Sequence, residues 1–263
     1  MNKKLIIANW KNHPDSLAEA EQILDFTDDY LGSVNEKEFS LVFCPPTVFL
    51  EEVSKVLKTS HLEHESSLGA QDVSLEDGEQ IFGPALKRLG VEYVIVGHSD
   101  RRWRLGESGE VVNKKLKTVL ANEMTPIVCI GEKTQDDGFR DFLKQQISET
   151  FSELSADDLG KCIIAYEPVW AISTNLDARP DTPENALESI RTIKEAISTN
   201  YQQPREAEQW PLRPLPTTRY LYGGSVTSKN VTDFIGQKEI DGVLIGGASV
   251  NKEEFVKILS LVK

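Results

Sequence analysis

Short runs of branched and aromatic apolar residues punctuate this chain, and each run stops at glycine, proline or a polar side chain. Runs at 5–8, 41–44, 67–70, 93–96, 126–130, 163–166, 220–222 and 242–245 read as strands. They are apolar without alternation, as expected of strands buried on both faces of a parallel sheet. Between them, apolar residues recur three and four apart. Leu17, Ala20, Ile23, Leu24 and Phe26 mark one face of a helix over about 16–31. The same period predicts helices over 84–89, 110–121, 139–154, 183–198, 226–235 and 252–262. Thr47 reads as the N-cap of a further helix with Glu51 and Glu52 in its early turns. Thr182 reads as the N-cap of the one that opens on Pro183.

Eight strand-then-helix units, most about 25–35 residues apart, fit a closed (β/α)8 barrel, which needs about 250 residues. An open doubly wound sheet is the alternative. No Gly-x-Gly-x-x-Gly follows the first strand, and no second domain is evident. The expectation is one barrel domain over residues 1–263. A proline-rich surface insertion near 202–218, with Pro204, Pro211, Pro214 and Pro216, falls between a helix and a strand. That places it on the face opposite a barrel's active site.

Composition narrows the class. At 39% hydrophobic and 27% charged, the chain resembles an ordinary globular protein, and no apolar run approaches the roughly 20 residues of a membrane span. The apolar run after Lys4 is too short for a signal peptide. Cys44, Cys129 and Cys162 lie in strand-like segments with neither disulfide nor metal-ligand spacing, and read as reduced core residues of a cytoplasmic protein. Twenty-nine basic against 42 acidic residues give a net charge of −13, which argues against nucleic acid or an anionic membrane as partner. An anionic substrate would therefore need positive potential built locally into its site.

In such a barrel the carboxyl ends of the strands face one mouth. There the sequence places Asn9 and Lys11 after the first strand, His98 after the fourth and Glu167 after the sixth. Gly223-Gly224-Ser225 follows the seventh strand and Gly246-Gly247 the eighth. Pro168 stops its strand and fixes Glu167 on stiff backbone, with Trp170 beside it to exclude water. A cation, a histidine, a carboxylate and two glycine pairs thus converge from distant segments. Singly, each has an ordinary reading as a surface charge, a core histidine or a turn.

The segments Asn9-Trp10-Lys11, Gly69-Ala70-Gln71, Gly97-His98-Ser99 with Arg101-Arg102, and Cys129-Ile130-Gly131-Glu132 carry a resemblance. So do Ala165-Tyr166-Glu167-Pro168-Val169-Trp170-Ala171-Ile172, Tyr222-Gly223-Gly224-Ser225 and Gly246-Gly247-Ala248-Ser249. The chain resembles the triosephosphate isomerases along nearly its whole length. That resemblance implies an aldose-ketose isomerase of glycolysis and gluconeogenesis that interconverts dihydroxyacetone phosphate and D-glyceraldehyde 3-phosphate, without metal or cofactor. The roles it implies are those established for such isomerases: Glu167 as base, neutral His98 polarising the carbonyl, Lys11 supplying positive charge and Asn9 holding substrate oxygens. The phosphate is expected near Ser173, Ser225, Gly246 and Gly247. Tyr166 and Trp170 are expected partly in the core and partly flanking the lid. Cys129 and Glu132 are expected to be structural, and Glu107 to pair with Arg101 or Arg102.

Three departures from the family pattern stand out. The lid tip reads Ser173-Thr174-Asn175 rather than Gly-Thr-Gly, and the segment after it runs longer. Asp100 stands where the family carries Glu. The third loop, ending Gln80-Ile81-Phe82-Gly83-Pro84, is several residues short of the tip that family dimers insert into a partner. The expected assembly is a monomer or weak homodimer. Two other readings are a barrel acting on a slightly larger ketose or aldose phosphate and a barrel that binds a phosphosugar without turnover. Lys11, His98 and Glu167 together favour the enzyme, since a binding module needs no base.

Overall fold

Eight parallel strands close on themselves in sequence order in the computed structural model, which describes residues 3–34, 37–75, 82–173, 177–202 and 218–262. They are β1 (Lys4–Asn9), β2 (Phe39–Cys44), β3 (Ser66–Ala70), β4 (Val91–Val96), β5 (Thr125–Ile130), β6 (Ile163–Tyr166), β7 (Arg219–Tyr222) and β8 (Gly242–Ile245). β8 pairs with β1 from Leu5↔Gly242 to Ala8↔Ile245, so no sheet edge is left. The (β/α)8 barrel read from the apolar runs is the fold. Most of the proline-rich insertion, the lid tip beyond Ser173 and the third loop through Ile81 lie outside the described residues.

The non-alternating runs follow from two apolar layers. Leu5, Ile7, Val42, Cys44, Ile95, Ile127, Cys129, Ile163, Ala165, Leu221 and Leu244 fill the barrel interior. Their neighbours along each strand, among them Ile6, Ala8, Phe43, Val94, Val96, Val128 and Ile164, pack outward under the helices. Through most of each strand, residues i and i+1 are therefore both buried, one on each face.

The helices are α1 (Leu17–Ser33), α2 (Leu50–Leu57), α3 (Gly83–Leu89), α4 (Gly109–Ala121), α5 (Phe139–Thr150), α6 (Ala156–Leu159), α7 (Pro183–Gln202), α8 (Val231–Ile235) and α9 (Lys252–Leu261). Ser16 caps α1 by accepting from the Glu19 amide, and Thr182 accepts from the Asn185 amide at the start of α7. Three expectations are corrected. Thr47 is no N-cap: the chain leaves Pro46 through a 3-10 turn over Thr47–Phe49, and α2 begins only at Leu50 without a side-chain cap. The helix expected over 139–154 ends early, at Thr150; Glu153 beyond it takes a left-handed backbone (φ 58°), and Ser155 caps the separate short helix α6. The helix over 226–235 starts late. Asn230 Oδ1 accepts from the Thr227 amide, and Asn230 Nδ2 donates to the Ser225 carbonyl. This one side chain satisfies backbone groups that a helix would otherwise use. Among the described residues no helix is long and apolar enough to cross a membrane.

Candidate active site

Each strand hands its last residue to the mouth through a polar tie. After β1, the Asn9 side chain accepts the Lys11 amide at 3.1 Å, and Lys11 takes a left-handed backbone (φ 54°) rare outside glycine and asparagine. Gln71 holds that turn from β3, donating to the carbonyls of Lys11 at 2.7 Å and Cys44 at 2.9 Å. The Lys11 ammonium reaches Asp100 Oδ2 at 3.3 Å. Burial pushes the Asp100 carboxyl up. Lys11, His98 and Arg104 together outweigh that push and hold it below the usual carboxylate range.

After β4, Gly97 turns with φ 66° into His98 and a π-helical turn over Asp100–Arg104. The Asp100 amide donates to His98 Nδ1 at 3.1 Å, so the neutral ring carries its proton on Nε2. That nitrogen faces Glu167 Oε1 at 3.1 Å, while Glu167 Oε2 accepts from the Ser99 amide at 2.9 Å. Glu167 is only 2% exposed. Its amide donates to the Ile130 carbonyl at 2.8 Å, which fixes it to the end of β5. Gly131 makes this approach possible, since a Cβ there would lie 1.8 Å from the Glu167 carbonyl oxygen. The Cys129 thiol lies against the Glu167 carboxylate. Burial first, and that charge second, push it well above its ordinary range. It is a packing group and a donor, with no thiolate chemistry.

The segment that leaves Glu167 is anchored behind the site. Glu132 Oε1 accepts from Tyr166 at 2.8 Å and from Trp170 Nε1 at 2.9 Å. Arg179 donates its amide to the Trp170 carbonyl at 3.1 Å and stacks its guanidinium on the indole at 4.7 Å. Burial raises the Glu132 carboxyl, and it raises Asp181, at the far end of the segment, to about 6. Asp181 accepts the Thr182 amide at 2.8 Å, and the Tyr222 phenol stands beside it.

A pocket of about 200 Å³ opens at this mouth. Asn9, Lys11, His98, Glu167, Ser173, Ser225, Gly246 and Gly247, the eight residues picked out in the sequence, all line it. Lys11 is the cation among its lining groups. Ser225 is already engaged: its hydroxyl donates to the Ala171 carbonyl and accepts from the Ser173 amide, both at 2.8 Å. Gly246-Gly247 opens a one-turn 3-10 helix over Gly247–Val250, and the space where a Gly247 side chain would stand is empty. Among the described residues, no group of three or more His, Cys, Asp or Glu is arranged to hold a metal ion.

Beside the pocket lies a buried ion cluster. Lys115 Nζ sits 2.7 Å from both Asp72 oxygens and 2.6 Å from Glu107, and Arg101 pairs with the same two carboxylates at 2.7 Å. Glu107 thus pairs with Arg101 as expected, and with Lys115, which the sequence reading missed. It makes no ion pair with Arg102. The pattern also gave no role to Gly131 or Arg102 and no hint of Asp181, because their partners are distant in sequence.

A family model described as triosephosphate isomerase matches residues 4–262. The chain is 36% identical, across 99% of its length and 100% of the relative's, to a curated triosephosphate isomerase of Caldanaerobacter subterraneus subsp. tengcongensis. It is 34% identical, with the same coverage, to one of Thermoanaerobacter sp.. Over 98% of the chain and 99% of the relative it is 36% identical to one of Dictyoglomus thermophilum.

Proposed function

Because the chain belongs to the triosephosphate isomerase family, we propose that Glu167, His98, Lys11 and Asn9 carry its chemistry and that Ser173, Ser225, Gly246 and Gly247 receive the phosphate. The reaction is the interconversion of dihydroxyacetone phosphate and D-glyceraldehyde 3-phosphate, an aldose-ketose isomerisation. An α-carbon proton is a weak acid. Its removal requires a base in contact and donors preorganised for the oxygen that gains charge. Glu167 takes that proton from one carbon and returns it to the neighbouring one. His98 Nε2–H faces the developing oxyanion, and Lys11 adds positive potential that the overall charge of −13 does not provide.

The observation that carries this reading is the contact between Glu167 Oε1 and His98 Nε2 at 3.1 Å inside the pocket. At rest the base and the electrophile satisfy each other. A substrate carbonyl oxygen that takes the Nε2 proton as its own donor frees one Glu167 oxygen for the α-proton. Phosphate binding likewise exchanges the bond between the Ser173 amide and the Ser225 hydroxyl for bonds to the ligand. We expect a single-domain monomer or weak homodimer because the third loop, ending Gln80-Ile81-Phe82-Gly83-Pro84, is several residues short of the tip that family dimers insert into a partner. Cys44, Cys129 and Cys162 are all buried free thiols, in keeping with a reducing cytoplasmic setting.

Glu167→Gln tests the assignment. In a coupled assay of both triose phosphates, turnover should fall on the order of a thousandfold, within the 10²–10⁴ typical of a general base. Turnover near that of the parent would remove Glu167 from the mechanism.

A further inference from the structure

Asn230 stands where α8 begins, the position at which an asparagine ordinarily accepts from an amide of the helix's first turn. Here α8 has no side-chain cap. The Asn230 side chain turns backward along the chain instead. Its Oδ1 accepts from the Thr227 amide at 2.8 Å and from the Thr227 hydroxyl at 3.3 Å, and its Nδ2 donates to the Ser225 carbonyl at 2.9 Å. The stretch so held, Ser225-Val226-Thr227, lines the pocket, whereas Asn230 itself does not.

Three observations direct this clasp at the ligand. The apolar period favours a helix from Val226, and the clasp keeps Val226 and Thr227 out of it by occupying the Ser225 carbonyl and the Thr227 amide. Without Asn230 those two groups are free to join the helix, and Ser225 turns with them. Ser225 is also the meeting point with the lid, through its hydroxyl bonds to the Ala171 carbonyl and the Ser173 amide. Lastly, Ser173, Ser225, Gly246 and Gly247 carry no charged side chain. A phosphate held by neutral donors depends on those donors already standing in place. A second tie frames the same loop: Glu254, in the first turn of α9, accepts from the Ser228 amide at 2.7 Å and the Ser228 hydroxyl at 3.1 Å. Because α9 follows the 3-10 turn that Gly246-Gly247 opens, the loops after β7 and β8 share one frame.

We propose that Asn230 is the positioning residue of the phosphate cradle: it gives up its role as helix cap to hold the Ser225–Thr227 backbone in the shape that receives the phosphate and meets the lid. This rests on the reading that Ser225 receives the phosphate.

The test reads KM and kcat in the coupled assay, with the constant for competitive inhibition by inorganic phosphate, all at one pH. Asn230→Leu keeps the size of the side chain and removes its bonds. KM and the phosphate constant should rise together by roughly tenfold, the scale of one hydrogen bond to a charged group. The kcat should change by less than about threefold, since Asn230 touches neither Glu167 nor His98. Asn113→Leu is the control. Asn113 Nδ2 donates to the carbonyls of Thr150 and Ser152, both at 2.9 Å, away from the pocket lining. It should lower Tm and leave KM and the phosphate constant at the parent's values. A folded Asn230→Leu protein with the parent's phosphate constant overturns the proposal. So does an equal rise in the two variants, or a loss of kcat with KM unmoved. If Asn230→Leu does not fold, Asn230→Ala, which removes the same bonds without bulk, is read by the same criteria. Ser225→Ala run alongside separates the two readings. If it raises the phosphate constant and Asn230→Leu does not, the failure is Asn230's alone; if neither does, the placing of the phosphate at Ser225 falls as well.

Discussion

Gly131→Ala should cripple this protein through one methyl group. The added Cβ would stand 1.8 Å from the Glu167 carbonyl oxygen and 2.6 Å from its carbonyl carbon. Both are backbone atoms, so no side chain can rotate away. Non-bonded carbon does not approach closer than 3.0 Å, and the two strand ends must part by about 1.2 Å. The bond from the Glu167 amide to the Ile130 carbonyl, 2.8 Å long, lies across that gap and stretches with it. Overpacking of this kind costs about 1–3 kcal/mol, several degrees in Tm. The catalytic loss is larger, since a misplacement of about 1 Å costs on the order of a hundredfold, or ~2.7 kcal/mol of barrier. Gly242→Ala is the control. Its Cβ would stand 1.9 Å from the Leu5 carbonyl oxygen, an equal clash, at the start of β8 rather than at the mouth. Both variants should melt earlier by thermal circular dichroism, and only Gly131→Ala should lose kcat per folded molecule in the coupled assay. Equal kcat losses in the two, or none in Gly131→Ala, would refute the reasoning.

Asp181 offers a stability test with a sign. Its folded value of about 6 lies above the ordinary 3.8, so the folded chain gains from its proton at low pH and loses that gain as pH rises through about 6. Asp181→Asn should therefore raise Tm by about 1–3 °C at pH 8 and not at pH 4, measured by differential scanning calorimetry; equal shifts at both would count against burial as the cause. Glycine at 173 and 175 widens the backbone angles open to the lid tip, and KM should drop by a factor of about 2–5 in steady-state kinetics. An unchanged or higher KM would count against a stiff tip. Sedimentation across a concentration series should show a monomer or a weak dimer, and a tight dimer at nanomolar protein would mean that the shortened third loop still docks.

The strands were legible because burial on both faces leaves an unmistakable apolar run, and their carboxyl ends led directly to Asn9, Lys11, His98 and Glu167. Helix ends were less so. Asn230 delays α8 through side-chain bonds to the chain, and α5 stops at Thr150 ahead of the left-handed Glu153; neither changes the apolar period. The π-helical turn after His98 is as silent: Asp100-Arg101-Arg102-Trp103-Arg104 carries no helical stripe, and what holds it is Arg102 reaching to β5 and Thr150. Glu132 read as a generic charge because its partners, Tyr166 and Trp170, sit more than 30 positions away. Gly131 looked like any strand-end glycine until the Glu167 backbone was seen against it.

The cluster of Asp72, Arg101, Glu107 and Lys115 constrains how this sequence can drift. Each cation contacts both carboxylates, so exchanging buried Asp72, Glu107 or Lys115 for a neutral residue strands a charge, a loss of about 3–5 kcal/mol against a total fold stability of about 5–15, whereas half-exposed Arg101 would cost less. Single-step paths out of this arrangement are therefore nearly closed, while a coordinated replacement of all four by packed apolar residues is energetically open. The four positions come from three separate segments of chain, after β3, after β4 and on α4. A lineage carrying this barrel would change them together or keep them, and a chimera cut between residues 72 and 101 would take Asp72 from one parent and its two cations, with Glu107, from the other.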